Sequence, residues 1–406
     1  MNYIYRLLTV ATFFSISLLG TMAAQTGFLE TDLVVGHDGD TASNCSLTLT
    51  DANGIVHVAR FCDPNLKNPW GVGTSSGSPF WVADNNAGKS TLYNTAGVAQ
   101  SLVVSIPAPG DPLGSSGTPT GLVFNTASGQ GAFKVSGVNR NNMPASAPAI
   151  FLFSTEDGTI LGWNPGVNPP GFDPAKAGTY AIIAVDNSAN PTAADGAVYK
   201  GLAIATDTTT TPSTTRLYVT NFRAGTVEVY NTSFAPDSSL PSDAFVDPTL
   251  QRGFAPFNIV PLNVGGATKL FVTYAVQDAA KHDDVAGQGR GIVDTFDVSG
   301  GSLHRFAQHG QLNSPWGVAL APASFGQFGG DVLIGNFGNG HIDVYNPNSG
   351  EFLDKLRNAQ GQAIVIDGLW TLRVGNGGNG GDAHTIYFTA GPNEEHDGLF
   401  GSLSPN

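Results

Sequence analysis

The feature that most constrains how this chain can fold is a repeat that occurs six times. Each copy starts with a short apolar strand at a glycine-containing motif. A second, strongly β-forming strand follows, then a turn, then a third strand. Asn68-Pro69-Trp70-Gly71-Val72 opens the first copy, with strands expected over 80–85 and 90–94. Pro119-Thr120-Gly121-Leu122-Val123 opens the second, with strands over 149–153 and 158–163. Lys200-Gly201-Leu202-Ala203-Ile204 opens the third, with strands over 216–222 and 225–230. Pro256-Phe257-Asn258-Ile259-Val260 opens the fourth, with strands over 269–274 and 291–296. Ser314-Pro315-Trp316-Gly317-Val318 opens the fifth almost as the first, with strands over 331–337 and 341–346. Asp367-Gly368-Leu369-Trp370 opens the sixth, which runs through 385–390 to 398–401.

In the third strands apolar and polar residues alternate, as in Thr226-Val227-Glu228-Val229, so one face is packed and the other less so. Stacking such sheets face to face buries both sides of each, and closing them radially leaves only short, protected edges. The expected fold is therefore all-β, a six-bladed β-propeller. The sixth copy runs out of chain after its third strand. Thr31-Asp32-Leu33-Val34-Val35 has no copy of its own and is expected to complete the last blade, bringing the two ends of the chain together. The rival architecture, two β-sandwiches, lacks a linker. Composition agrees: 52 Gly and 25 Pro punctuate short strands, and only 12% of residues are charged, against about 25% in ordinary globular domains.

Arg6, the apolar stretch over 7–20 and the small residues Thr21-Met22-Ala23-Ala24 read as an export signal over 1–24, leaving 25–406 as one domain. The stretch is short for a membrane span, and no later one reaches the ~18 apolar residues a span needs. The expected location is therefore secreted, or periplasmic in a Gram-negative source. Cys45 and Cys62 flank a strand–turn–strand segment with Asn53-Gly54 at its turn. A disulfide joining them would staple a hairpin insertion over 45–62, which an oxidising compartment permits. No CxxC motif is present. The net charge of −14 repels phosphate backbones, so nucleic acid is not an expected partner.

The motifs behind serine hydrolases, zinc proteases and P-loop enzymes are absent, and the run over 375–381 is a glycine-rich loop between strands. Function in such folds usually sits on loops held by the scaffold. On one face, the approaches to the inner strands place Asn68, Trp70, Lys200, Asn258, Trp316, Asp367 and Trp370 near the mouth of the central channel. The loops between second and third strands add Asp84, Asn85, Glu156, Asn221 and Asn336. Two loops are rich in His and acid: Gln277 to Arg290, with His282 and Asp283, and Gly391 to Gly398, with Glu394 and His396. Carboxylates suit Ca²⁺ and imidazoles shift the preference towards transition metals, so these four residues are the candidate divalent-metal ligands. The competing reading is of solvated acidic turns. Trp70 and Trp316 read as core wedges between blades or as a stacking platform, and His57 and His341 as surface or packing residues on strands.

Leu217-Tyr218-Val219-Thr220-Asn221-Phe222 with Gly225-Thr226-Val227-Glu228-Val229-Tyr230 resembles the YVTN and NHL propeller repeats. The stretches 65–71, 154–160 and 388–401 resemble an uncharacterised family of secreted NHL/YVTN-like propellers. Some bacterial members of that family end in a PEP-CTERM sorting signal, which this sequence lacks. The resemblance implies the fold and export, and no established activity.

Fold does not decide function. The first reading is an extracellular module that binds a glycan, protein or small molecule at the loop face or channel mouth. The second is a divalent-metal-dependent hydrolase or lyase, similar to six-bladed lactonases, with its site at that mouth. The third is a structural envelope component. A channel filled by aromatic side chains would favour the first, and a metal on the axis the second.

Overall fold

The computed structural model describes residues 27–406; the expected export signal lies outside the described residues. Of the eight sheets among the described residues, six follow one another along the chain as blades, antiparallel except for one short pairing in the last. Blade 1 comprises Pro69–Gly73, Phe80–Asp84, Lys89–Tyr93 and Val104–Ser105. Blade 2 comprises Pro119–Phe124, Phe151–Thr155, Thr159–Trp163 and Ile182–Asp186. Blade 3 has three strands, Tyr199–Asp207, Thr214–Asn221 and Thr226–Tyr230. Blade 4 comprises Phe254–Val264, Ala267–Val276, Gly291–Phe296 and His304–Gln308. Blade 5 comprises Pro315–Leu320, Val332–Asn336, Ile342–Tyr345 and Phe352–Lys355. Blade 6 comprises Leu369–Val374, Ile386–Ala390 and Gly398–Pro405, and its fourth strand is Phe28–Gly36 from the other end of the chain.

The closing strand expected over 31–35 is longer, and it pairs with the last strand from Phe28↔Pro405 to Gly36↔Gly398. Phe61–Cys62 adds a short parallel fifth strand beside Val34 and Val35. The expected hairpin forms, with Thr48–Thr50 paired to Val56–Val58, and Cys45 is bonded to Cys62. No helix among the described residues is long and apolar enough to cross a membrane.

The apolar residues fall into seven clusters, and their placement explains the fold. Six lie between neighbouring blades. Trp81 and Leu92 of blade 1, for example, pack on Phe151, Phe153 and Trp163 of blade 2, with the Trp81 and Phe151 rings stacked at 4.1 Å. The seventh lies on the axis. Since each sheet is covered on both faces, third strands such as Thr159–Trp163 and Ile342–Tyr345 are buried throughout. Thr226–Tyr230 of blade 3, where no fourth strand forms, keeps some exposure at all but Tyr230, yet Val227, Glu228 and Val229 are alike half-buried, so the alternation read from this strand does not appear in its burial.

Candidate functional site on the propeller axis

Aligning the six inner strands puts Trp70, Thr120, Lys200, Phe257, Trp316 and Trp370 at one position. In every blade the pairing of the first strand with the second skips there: Pro69↔Asp84 is followed by Val72↔Val82, Tyr199↔Asn221 by Gly201↔Thr220, and Pro315↔Asn336 by Gly317↔Gly335. Blades 2, 4 and 6 skip in the same place. A bulge re-aims a side chain. Here it turns residues inward, since rings from blades 1, 4, 5 and 6 can meet only across the axis.

The next residue in each blade explains the glycine motif. Gly71, Gly121, Gly201 and Gly317 stand where the inner strands come closest. A Cβ on Gly71 would lie 2.4 Å from the Thr120 carbonyl, and one on Gly317 2.5 Å from that of Trp370. The other two blades carry Asn258 and Thr371, whose polar atoms bridge to the next blade. Asn258 Nδ2 donates to the Trp316 carbonyl at 2.8 Å and Thr371 Oγ1 to the Trp70 carbonyl at 2.7 Å. Thr120 Oγ1 likewise donates to the Tyr199 carbonyl at 2.8 Å. These bonds satisfy carbonyls at or beside the bulges.

The resulting layer closes the channel. Trp70 stacks on Trp370 at 3.5 Å, Phe337 stacks on the other side of the cluster at 4.0 Å from Trp370, and Trp316 meets both tryptophans edge-on. Trp70 and Trp316 are therefore not wedges between blades, because the bulges direct them to the axis. Lys200 shares the layer and is buried, its ammonium 5.0 Å from the centre of the Trp70 ring, a cation–π distance.

A polar network covers this layer on the loop face. Lys200 Nζ donates to Glu156 Oε1 and, at 3.2 Å, to Asp283 Oδ1. Burial pulls the ammonium pKa down, but Glu156 and then Asp283 outweigh it and the net shift is upward. Asn85 Nδ2 donates to Glu156 Oε2 at 2.8 Å. His282 Nδ1 lies 2.9 Å from Asp283 Oδ1, which holds the Asp283 carboxyl below the usual range and raises the imidazole pKa. Asn68 accepts from the Trp370 indole N–H at 2.9 Å and donates to Glu395 Oε2 at 2.6 Å. Burial, then repulsion from Glu156, pushes the Glu395 carboxyl up to about 7.

The structure thus unites Asn68, Trp70, Lys200, Trp316, Trp370, His282 and Asp283. Asn258 lies beside the layer as an interblade bridge. Asp367 accepts from the Ala52 and Asn393 backbone N–H groups at 3.3 and 2.9 Å, fastening the blade 6 loop to the inserted hairpin. Glu156, His282 and Asp283 offer ligand atoms within 4.8 Å of one another, but Glu394 and His396 join no such group among the described residues. Both are exposed, whereas Glu395 between them turns to Asn68. Sequence reasoning missed Glu395, Thr120 and Phe257. The last two were legible by register, Pro-Phe-Asn and Pro-Thr-Gly standing where other blades have Pro-Trp-Gly.

Beneath the aromatic layer the channel continues as a cavity of about 280 Å³ to which all six blades contribute. Its walls include Leu122, Leu202, Ile204, Val260 and Leu372, and Trp316 reaches it from the layer. Arg373 also lines it. Its Nη2 donates to Thr74 Oγ1 at 3.2 Å, and among the described residues it makes no ion pair. Burial pushes its guanidinium pKa down.

No family model matches the chain. Among solved structures, virginiamycin B lyase from Staphylococcus aureus is similar over 84% of this chain and 96% of its own, at TM-score 0.47 and 10% identity. Soluble aldose sugar dehydrogenase from Escherichia coli is similar over 84% of this chain and 97% of its own, at TM-score 0.47 and 11% identity. Neither likeness is close enough to carry a residue's role across. Among curated proteins, "Uncharacterized protein R648" of Acanthamoeba polyphaga mimivirus is 28% identical over 350 residues, 86% of this chain and 77% of the relative. "Uncharacterized protein L690" of the same virus is 30% identical over 351 residues, 85% of this chain and 82% of the relative. The chain belongs to the same protein family as that last relative.

Proposed function

We propose that the protein is an exported NHL/YVTN-like binding module that takes a small anionic ligand into the axial cavity. The observation that carries this reading is Arg373, a half-buried guanidinium without a carboxylate partner among the described residues, in a chamber whose walls mix aliphatic side chains with glycines, threonines and Asn258. A guanidinium without a counter-ion readily donates a charge-assisted hydrogen bond to an anion, and an anionic ligand with an apolar body would meet both Arg373 and the aliphatic part of the walls. A concave apolar pocket with a few converging polar groups is the usual form of a small-molecule site. The disulfide supports export to an oxidising compartment. The metal-dependent hydrolase reading is the weaker one, because the Lys200 ammonium already sits between Glu156 and Asp283, where a divalent ion would have to displace it.

Thermal unfolding with straight-chain carboxylates from butanoate to decanoate, each beside its alcohol, tests this reading. At least one carboxylate is expected to raise the midpoint more than its alcohol does, and Arg373→Leu to remove the difference. Equal effects of acids and alcohols, or an unchanged response in Arg373→Leu, would sink it.

A further inference from the structure

We infer that Glu30, Asp32 and His57, on the seam between the closing strand and the inserted hairpin, form a site for a divalent transition-metal ion such as Zn²⁺, with Asp51 orienting the imidazole. The site is remote in kind and place from the axial cavity and does not depend on what binds there.

The hairpin inverts the usual pattern of burial. In Val56–Val58 the two valines point out, 58% and 66% exposed, while His57 between them is buried at 2%. Its cross-strand neighbour Leu49 is buried with it. An imidazole placed inward at the expense of two valines has partners to meet. These are three carboxylates: Nδ1 lies 3.3 Å from Asp32 and 3.6 Å from Glu30, and Nε2 lies 3.8 Å from Asp51. Glu30 and Asp32 reach it from the closing strand Phe28–Gly36, two residues apart and so on one face.

These groups satisfy one another only in part: His57 Nδ1 is within hydrogen-bond reach of Asp32 Oδ2. Glu30 Oε1, Asp32 Oδ1, Asp51 Oδ2 and His57 Nε2 are all buried without a hydrogen-bond partner. Few such atoms are expected in a native protein, and a bound ion is one way to satisfy them. Even a protonated imidazole cannot balance three carboxylates.

The spacing, with one long hydrogen bond between Nδ1 and Asp32, also fits an ion. Ligands about 2.1 Å from a tetrahedral metal lie roughly 3.4 Å apart, whereas N–H···O bonds cluster near 2.9–3.0 Å. Glu30, Asp32 and His57 each offer a ligand atom, all within 4.8 Å of one another. An imidazole among oxygens favours a transition ion over Ca²⁺. With Nδ1 on the metal, the Nε2 proton faces Asp51, the carboxylate–histidine–metal arrangement that fixes tautomer and ring orientation. Asp51 is itself held by the Asn53 and Ile55 backbone N–H groups at 3.0 and 2.7 Å. Glu30 and Asp32 keep 23% and 14% side-chain exposure, which leaves a path from solvent.

The test uses the full chain with its disulfide intact, stripped with EDTA and titrated with Zn²⁺ by calorimetry, with Co²⁺ absorption as a second readout. One equivalent of Zn²⁺ is expected, with a higher thermal midpoint and Co²⁺ d–d bands. His57→Ala, Glu30→Gln and Asp32→Asn should lose the equivalent. Asp51→Asn should weaken it about 10- to 100-fold, and His282→Ala should leave it unchanged. If His57→Ala does not fold, the partly exposed Glu30→Gln decides. No Zn²⁺ bound by the wild type, or undiminished binding in Glu30→Gln and Asp32→Asn, overturns the assignment, and loss in His282→Ala would move the ion to the axial network.

Discussion

Trp370 lies flat on Trp70 with ring centroids 3.5 Å apart, and its indole N–H reaches Asn68 Oδ1 at 2.9 Å, so the last blade is fastened to the first on the axis as well as at the rim. Trp370→Ala is expected to cost about 3–5 kcal/mol, the range for deleting a buried aromatic. Trp370→Phe should cost less, since it keeps a ring on Trp70 and loses the hydrogen bond to Asn68. Chemical denaturation midpoints, compared at equal slope, check both.

Lys200 is the buried cation that Glu156 and Asp283 share. Lys200→Ala leaves those carboxylates facing each other and should destabilise by about 3–5 kcal/mol, the usual penalty for breaking a buried pair by removing one partner. Adding Glu156→Gln should recover a large part of that loss. A double-mutant cycle reads the coupling, and additive effects would contradict a shared network.

Glu395 should make stability fall with rising pH. In the native state its carboxyl holds a proton up to about 7, whereas an unfolded glutamate releases it near 4.3. Between those values the native state binds more protons, so stability declines across that window and levels off above it. Glu395→Gln should remove roughly 1–3 kcal/mol of that decline, read from denaturation midpoints at pH steps across the window. Glu30, shifted in the same direction, leaves the variant a residual slope.

The Cys45–Cys62 bond encloses a segment with sequence separation 17. Cys45→Ser with Cys62→Ser should cost about 3 kcal/mol in the chain-entropy model and lower the thermal midpoint, with the propeller still formed. Deleting 27–36 should do more. It uncovers Gly398–Pro405 and removes Phe28 and Val35 from the core shared by blades 5 and 6. Light scattering should report association through the bared edge.

The blades were readable because each carries the same signal. Phe80–Asp84, Phe151–Thr155 and Val332–Asn336 are short apolar runs ended by turns, and their bounds lie within a few residues of those expected. The closing strand was readable by arithmetic, as a strand without a blade and a blade without a strand. The polar network was readable only in part. Lys200 and Asp283 stood out as charged residues on loops of one face, but nothing in Glu394-Glu395-His396 says that the middle residue alone turns inward. Backbone geometry decides that: Asn393, Glu394 and Glu395 all adopt left-handed φ, at 58°, 56° and 67°.

By itself the sequence determined the all-β class, the six copies, the joining of the chain ends and the stapled hairpin, because strand periodicity, turn residues and paired cysteines act over short spans. Only the tertiary structure decided which side chains share the axis and which share the seam. A bulge in every inner strand turns Trp70, Lys200 and their counterparts inward. The pairing of Phe28–Gly36 with Gly398–Pro405 helps place Glu30 and Asp32 where His57 meets them. Both depend on ring closure, which brings together residues that no local pattern relates.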